Sequence, residues 1–238
     1  MKDYYERAYT VLSSDTDAFQ RLRLSRLFTM LQEAAIAHTT ELGFGREKTL
    51  DKGYLWVITV QQALISRLPR YDEKITVASM PGEMMHVFYP RYYRIADEEG
   101  NELLNATALW ALMDREKRST VFPDESGVVI EGSTPDGQVF YPRPPKMPQN
   151  GGAIPFTVPY SYTDLNGHMN NTRYFDLAED LMPEALRGAE IKEISAEFSG
   201  EARYGDRITV TTEVKDNTFL LAGAGEKRLF RIGMRYDV

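Results

Sequence analysis

Two octapeptides, 70-RYDEKITV-77 and 203-RYGDRITV-210, constrain this chain more than any other feature. Five of their eight positions are identical, and Glu73/Asp206 and Lys74/Arg207 keep their charge. A second echo precedes them: 16-TDAFQRL-22 stands before a helical pattern just as 163-TDLNGHM-169 does. The two echoes are offset by 147 and 133 residues, so the first copy holds about 14 extra residues between helix and strand. Two echoes in one order, each beside the same kind of element, indicate an internal duplication.

A proline- and glycine-rich stretch divides the copies. Between Glu131 and Gly152, prolines stand at 135, 142, 144, 145 and 148. Proline removes a backbone donor and fixes φ, so this stretch reads as an extended connector. The expected division is an N-terminal unit over 1–130, a connector over 131–152 and a C-terminal unit over 153–238.

Each unit repeats one pattern. Leu24, Leu27, Phe28, Leu31, Ala35 and Leu42 recur at helical spacing, which predicts a helix from Ser25 to about Leu42. Asp15, Thr16 and Asp17 offer capping oxygens before it, and 43-GFG-45 ends it. Strand-like runs follow at 54–61, 73–79, 86–96 and 102–113, with 97-DEEGN-101 as a hairpin turn. The second unit offers a helix from about Asn171 to Leu181 and strands at 191–198, 207–214, 218–224 and 227–236. One helix followed by antiparallel strands, twice over, is an α+β arrangement: a tandem (double) hot-dog, each helix wrapped by a curled sheet.

Composition narrows the function. A net charge of −7 over 238 residues disfavours a nucleic-acid partner. The absence of cysteine excludes thiolate nucleophiles, disulfides and cysteine-ligated zinc. The opening MKDYYERAYTVL has no apolar signal-peptide core, and no run reaches membrane-spanning length. The expectation is a cytoplasmic protein with no membrane partner.

The segment 163-TDLNGHMNNTRYF-175 carries the chemistry. In an extended strand Asp164, Asn166 and His168 share one face, with Leu165 and Met169 on the other. Asn170 or Asn171 is placed to cap the following helix, whose free N–H groups suit a developing oxyanion. The duplication supplies a control. Asp17 matches Asp164, but Phe19 stands for Asn166, Arg21 for His168 and Leu68 for Glu201. One copy keeps the aspartate and lacks the amide, the imidazole and the second carboxylate together, which points to a site in the other copy.

These residues resemble the acyl-acyl carrier protein (acyl-ACP) thioesterases. The likeness runs through 27-LFTMLQEAAIAHTTELGFG-45, 55-LWVITVQQALISRLPRYDEKITV-77, 107-TALWALMDREKRSTVFP-123 and 164-DLNGHMNN-171. It implies a catalytic set of Asp164, Asn166, His168 and Glu201, no metal and no organic cofactor. In plant members a cysteine follows the glutamate. Here Ala202 does, so the resemblance implies hydrolysis by activated water. Glu201 is read as the base, with His168 as the alternative, and Asn166 and His168 position water and thioester. Asp164 orients its neighbours or caps a turn.

Trp56, Met84, Met85 and Trp110 are candidates for an acyl pocket in the N-terminal unit, or plain core. His38 and His86 read as structural. The implied partner is an acidic carrier protein bearing a 4'-phosphopantetheine-linked acyl chain, so cations should rim the pocket. Arg21, Arg23 and Arg26, or 115-REKR-118, supply them, unless each is merely a solvated face. A homodimer is left open. The rivals are an acyl-CoA thioesterase, a non-catalytic acyl-binding or regulatory protein, and a hydratase that leaves the thioester intact.

Overall fold

The computed structural model describes residues 4–133 and 140–237. The N-terminal half runs β1 (Tyr5–Thr10), α1 (Leu24–Glu41), β2 (Tyr54–Ile65), β3 (Lys74–Pro81), β4 (Phe88–Asp97), β5 (Glu102–Asp114) and the single turn α2 (Pro123–Ser126). The C-terminal half runs β6 (Gly152–Thr157), α3 (Arg173–Leu181), β7 (Glu190–Phe198), β8 (Arg207–Lys215), β9 (Thr218–Ala224) and β10 (Arg228–Asp237). All ten strands form one antiparallel sheet in the order β1-β3-β4-β5-β2-β7-β10-β9-β8-β6.

That order is a mirror list about the β2–β7 seam, as a duplicated unit requires. Gln62 pairs with Ser195 there, and these residues are themselves 133 apart. A bulge that skips Thr59 in the β2–β5 ladder recurs at Lys192 in the β7–β10 ladder, at the same offset. Phe28 of α1 stacks on Phe175 of α3 with ring centroids 4.0 Å apart, at the helices' own offset of 147. One pseudo-twofold therefore passes through both the sheet seam and the helix pair.

The helices lie against the sheet through one face each. Leu24, Leu27, Phe28, Met30, Leu31, Ala34 and Ala35 of α1 are buried. Tyr174, Phe175, Leu177 and Ala178 are their counterparts on α3. Each large side chain so buried stabilises by roughly 1.5–3 kcal/mol before entropy is counted. No described helix is long and apolar enough to cross a membrane.

Several sequence expectations are corrected. Among the described residues each half has five strands rather than four. The two unforeseen ones, β1 and β6, are half-exposed sheet edges, and Pro155 of β6 sits where an edge tolerates a missing donor. No side chain of residues 15–17 caps α1. Instead the Leu24 N–H donates to Glu179 Oε1 of α3 (3.1 Å), a cap supplied from the other half. His86 precedes β4, in a turn at φ 54°, rather than starting it. The connector's Pro135 and Gly137 lie outside the described residues, and residues 140–146 cross the sheet's face at the seam.

Candidate functional site

Residues 163–169 are not the extended approach that alternation of polar side chains predicts. They form a tight turn: Thr163 bridges Met169, Asp164 N–H donates to His168 C=O (2.9 Å), and Gly167 N–H donates to Asp164 C=O (3.0 Å). Gly167 takes φ +76°, a left-handed conformation that glycine adopts without strain. The Asp164 carboxylate organises this turn. Its Oδ1 accepts the Asn166 N–H (2.8 Å), and its Oδ2 lies 3.4 Å from the Asn170 amide nitrogen. Asn170 Oδ1 in turn accepts from the Thr172 N–H and hydroxyl, which steadies the entry to α3.

The turn then docks on a second loop. His168 bridges Arg203, and the Met169 N–H donates to Ala202 C=O (2.7 Å). This docking brings Glu201 beside the imidazole, with His168 Nε2 3.4 Å from Glu201 Oε2. The His168 side chain is 13% exposed and that of Glu201 30%. Asn166 is half-buried, and among the described residues nothing hydrogen-bonds its side-chain amide. Amide, imidazole and carboxylate of the expected set thus belong to one loop pair, with Asp164 as its brace.

A further group enters from the other half. Arg118, in the turn after β5, forms an ion pair through Nη2 with Glu201 Oε2. Sequence reasoning placed Arg118 only in a docking cluster, because its contact with Glu201 spans the two units. Burial pushes the His168 imidazole below its ordinary pKa, and Arg118, Arg203 and Arg115 push the same way, against Asp164. These effects favour the neutral ring, and the Glu201 carboxylate faces it. A carboxylate beside a neutral imidazole, at 3.4 Å and partly open to solvent, is an acid–base pair within reach of one water.

Around this pair the surface is mixed. Leu165 is 81% exposed and Tyr160 76%, and Tyr160 meets Tyr204 edge to face at 5.8 Å. Arg115, Lys117 and Arg203 are exposed. Of the other cationic candidates, Arg21 is spent on Asp17 and the Ala189 carbonyl and Arg26 on Asp15, whereas Arg23 is exposed.

The apolar candidates lie on the N-terminal half. Trp110 is buried and donates through Nε1 to the Tyr93 hydroxyl (3.1 Å). Trp56 meets Tyr89 edge to face at 4.8 Å, and Met84 packs on the same core; Met85 is half-buried in the turn before β4. A cavity of about 730 Å³ lies elsewhere, between residues 140–146 and the β2–β7–β10 seam, and none of the eight expected site residues lines it. His38 is buried, and its Nδ1 lies 3.1 Å from Nη1 of Arg91, a buried cation that also bonds Thr39 and Ser79. Burial lowers the Arg91 pKa to about 10. Among the described residues no group of three or more histidine and acidic side chains is placed to hold a metal ion.

Comparison with known proteins finds matches over both halves of the chain. Residues 2–125 match the model of the acyl-ACP thioesterase N-terminal domain, and residues 147–228 that of the acyl-ACP thioesterase C-terminal domain. The chain is 23% identical over 245 residues to a chloroplastic palmitoyl-acyl carrier protein thioesterase of Gossypium hirsutum, covering 93% of this chain and 58% of the relative. It is 21% identical over 229 residues to a chloroplastic dodecanoyl-[acyl-carrier-protein] hydrolase of Cinnamomum camphora, covering 88% and 59%. The chain thus spans under two thirds of the length of these curated relatives. The crystal structure of an acyl-ACP thioesterase from Bacteroides thetaiotaomicron superposes with TM-score 0.87 at 21% identity, over 99% of this chain and 98% of that one. The 12:0-ACP thioesterase from Umbellularia californica gives 0.84 at 17%, over 100% and 98%. The tandem hot-dog fold is the one these structures share.

Proposed function

We propose that this chain, which belongs to the acyl-ACP thioesterase family, hydrolyses the thioester of fatty acyl-acyl carrier protein to free fatty acid and carrier, ending chain elongation. The observation that carries the reading is the His168–Glu201 pair, which exists in the second copy of the unit only. Glu201 takes a proton from water as the water oxygen bonds the thioester carbon. Asn166 donates to the carbonyl oxygen, whose charge grows as the tetrahedral intermediate forms. Collapse breaks the C–S bond, and the proton held by Glu201 returns to the leaving thiolate, with His168 holding water and carboxylate in line. A positioned base is worth about 10²–10⁴-fold and an oxyanion donor roughly 10²–10³-fold.

The division of labour follows the two halves. The C-terminal half carries the acid–base groups, and the apolar interior beside Trp56, Trp110, Met84 and Met85 takes the acyl chain. The acidic carrier docks on the exposed cations Arg115, Lys117 and Arg203, with Leu165, Tyr160 and Tyr204 as apolar contacts.

Thiol release from a panel of acyl-ACPs and acyl-CoAs, read with a thiol-reactive dye, tests the proposal, and a cysteine-free chain contributes no background. Release favouring acyl-ACP, and lost in His168→Ala, is the expected result. Release favouring acyl-CoA replaces the carrier by the nucleotide handle. No release from any thioester overturns the proposal in favour of a binding protein.

A further inference from the structure

Among the described residues, Arg118 is the one side chain of the N-terminal half in an ion pair with the expected catalytic groups. It stands at φ +55°, in the left-handed region, where a non-glycine residue is strained by roughly 1–2 kcal/mol. The turn around it is closely specified. The Arg118 N–H donates to Asp114 C=O (3.0 Å), the Asp114 N–H donates to Ser119 C=O (2.9 Å), and Asp114 Oδ1 accepts from Glu116 and Lys117 N–H groups. A glycine would satisfy this backbone without strain. An arginine held there aims its guanidinium across the boundary between the halves at Glu201.

We infer that Arg118 is a positioning residue for the hydrolysis: through its ion pair it holds Glu201 ionised and seated against His168, so that the N-terminal half completes the acid–base pair of the C-terminal half. The inference rests on the function proposed above. A cation beside a carboxylate favours its ionised form, and the partial exposure of this pair weakens that effect. The same charge disfavours a second cation on the imidazole. The other charged groups facing the pair are Arg115 from the same turn, Arg203 from the Glu201 loop and Asp164 from the His168 loop. Arg115, Lys117, Arg118 and Arg203 are all exposed, but Arg118 is already engaged with Glu201 before any carrier arrives.

The sign of the pH effect follows. With Arg118 replaced by a neutral residue, Glu201 protonates at higher pH and His168 becomes cationic at higher pH. Both changes move the acid limb of kcat/KM upward.

The test compares wild type with Arg118→Gly, which fits the turn's backbone, and with Arg118→Lys, which restores the charge. The substrate is an acyl-pantetheine, which has no carrier to dock. Two readouts are followed: the pH dependence of kcat/KM, and the His168 ring titration by NMR, separated from His38 and His86 by substitution of those two. The expected result is an acid limb about 1 pH unit higher in Arg118→Gly, a His168 titration shifted the same way, and both moved back in Arg118→Lys. An unmoved limb and titration overturn the inference, and a KM raised for acyl-ACP but not for acyl-pantetheine then makes Arg118 a docking residue. If wild type cleaves no thioester, the proposed function falls, and the His168 titration alone still decides whether Arg118 is coupled to the pair.

Discussion

The two copies of one turn, residues 16–22 and 163–169, are built alike and end in different chemistry. Each opens with an aspartate whose Oδ1 accepts the N–H two residues on, Phe19 in one and Asn166 in the other. Each closes with the N–H of that aspartate on the carbonyl four residues later, and each passes through a left-handed residue, Gln20 at φ 62° or Gly167 at φ 76°. Each docks on the loop before the shared strand, through Arg21–Arg70 or His168–Arg203 bridges.

The difference lies in what the turn presents. In the first copy Arg21 folds back on Asp17 and reaches the Ala189 carbonyl, and Phe19 covers Gly188, whose Cβ position it blocks. That copy spends these two side chains on packing and local pairing. In the second, Asp164 leaves His168 free to face Glu201. The aspartate is thus shared structure, and the chemistry resides in the residues that differ.

The largest expected effect tests that separation. Glu201→Gln removes the proposed base and should lower kcat by about 10²–10⁴-fold with thermal stability retained. A variant that keeps full turnover moves the role of base to His168.

The helices offer a second contrast of the same kind. Glu179 on α3 and Gln32 on α1 are equivalent by the offset of 147. Burial raises the Glu179 pKa to about 7, opposed by the Leu24 N–H and Arg23 and reinforced by Asp176 and Asp17. A carboxyl whose folded pKa exceeds its ordinary 4.5 contributes stability that is full below about pH 4.5 and lost as pH rises through 7. The loss amounts to about 3 kcal/mol. Urea unfolding of wild type and Glu179→Gln at pH 5 and pH 8 should show the variant spared that loss. Parallel changes in both proteins would place the titration elsewhere.

Next come the aspartates themselves. Asp17→Ala removes acceptors for the Phe19 and Arg21 N–H groups and should cost about 1–3 kcal/mol in denaturation, with turnover within about twofold of wild type. Asp164→Ala should cost a similar amount of stability and also reduce turnover by 10-fold or more, about 1.4 kcal/mol of barrier. Equal turnover in the two variants would erase the contrast. The smallest effect concerns the left-handed position: Gly167→Ala should lower stability by about 1 kcal/mol, seen as a melting shift of roughly 2–4 °C.

Much of this was legible in the residues. The duplication follows from two echoes because a repeated unit preserves the side chains that pack its strand and turn. The helices follow from apolar periodicity. The edge strands β1 and β6 carry no such pattern, since an edge faces solvent on more than one side. Alternation misread 163–169 as extended, because Gly167 permits a turn that returns the chain within five residues. The Leu24–Glu179 cap and the Arg118–Glu201 pair join residues far apart in sequence, and no local signal reports such contacts. Arg91 is a similar case. It stands opposite Pro81 as Phe219 stands opposite Val214, so one copy buries a cation where the other buries a ring.

The most direct test of the account is kcat/KM on one acyl-ACP for two mirror-image variants, His168→Ala and Arg21→Gln, each checked for retained fold by its melting temperature. A loss of at least about 100-fold is expected for His168→Ala and a change within about twofold for Arg21→Gln. Comparable losses in both would contradict it, because the two copies of the turn would then serve the reaction alike.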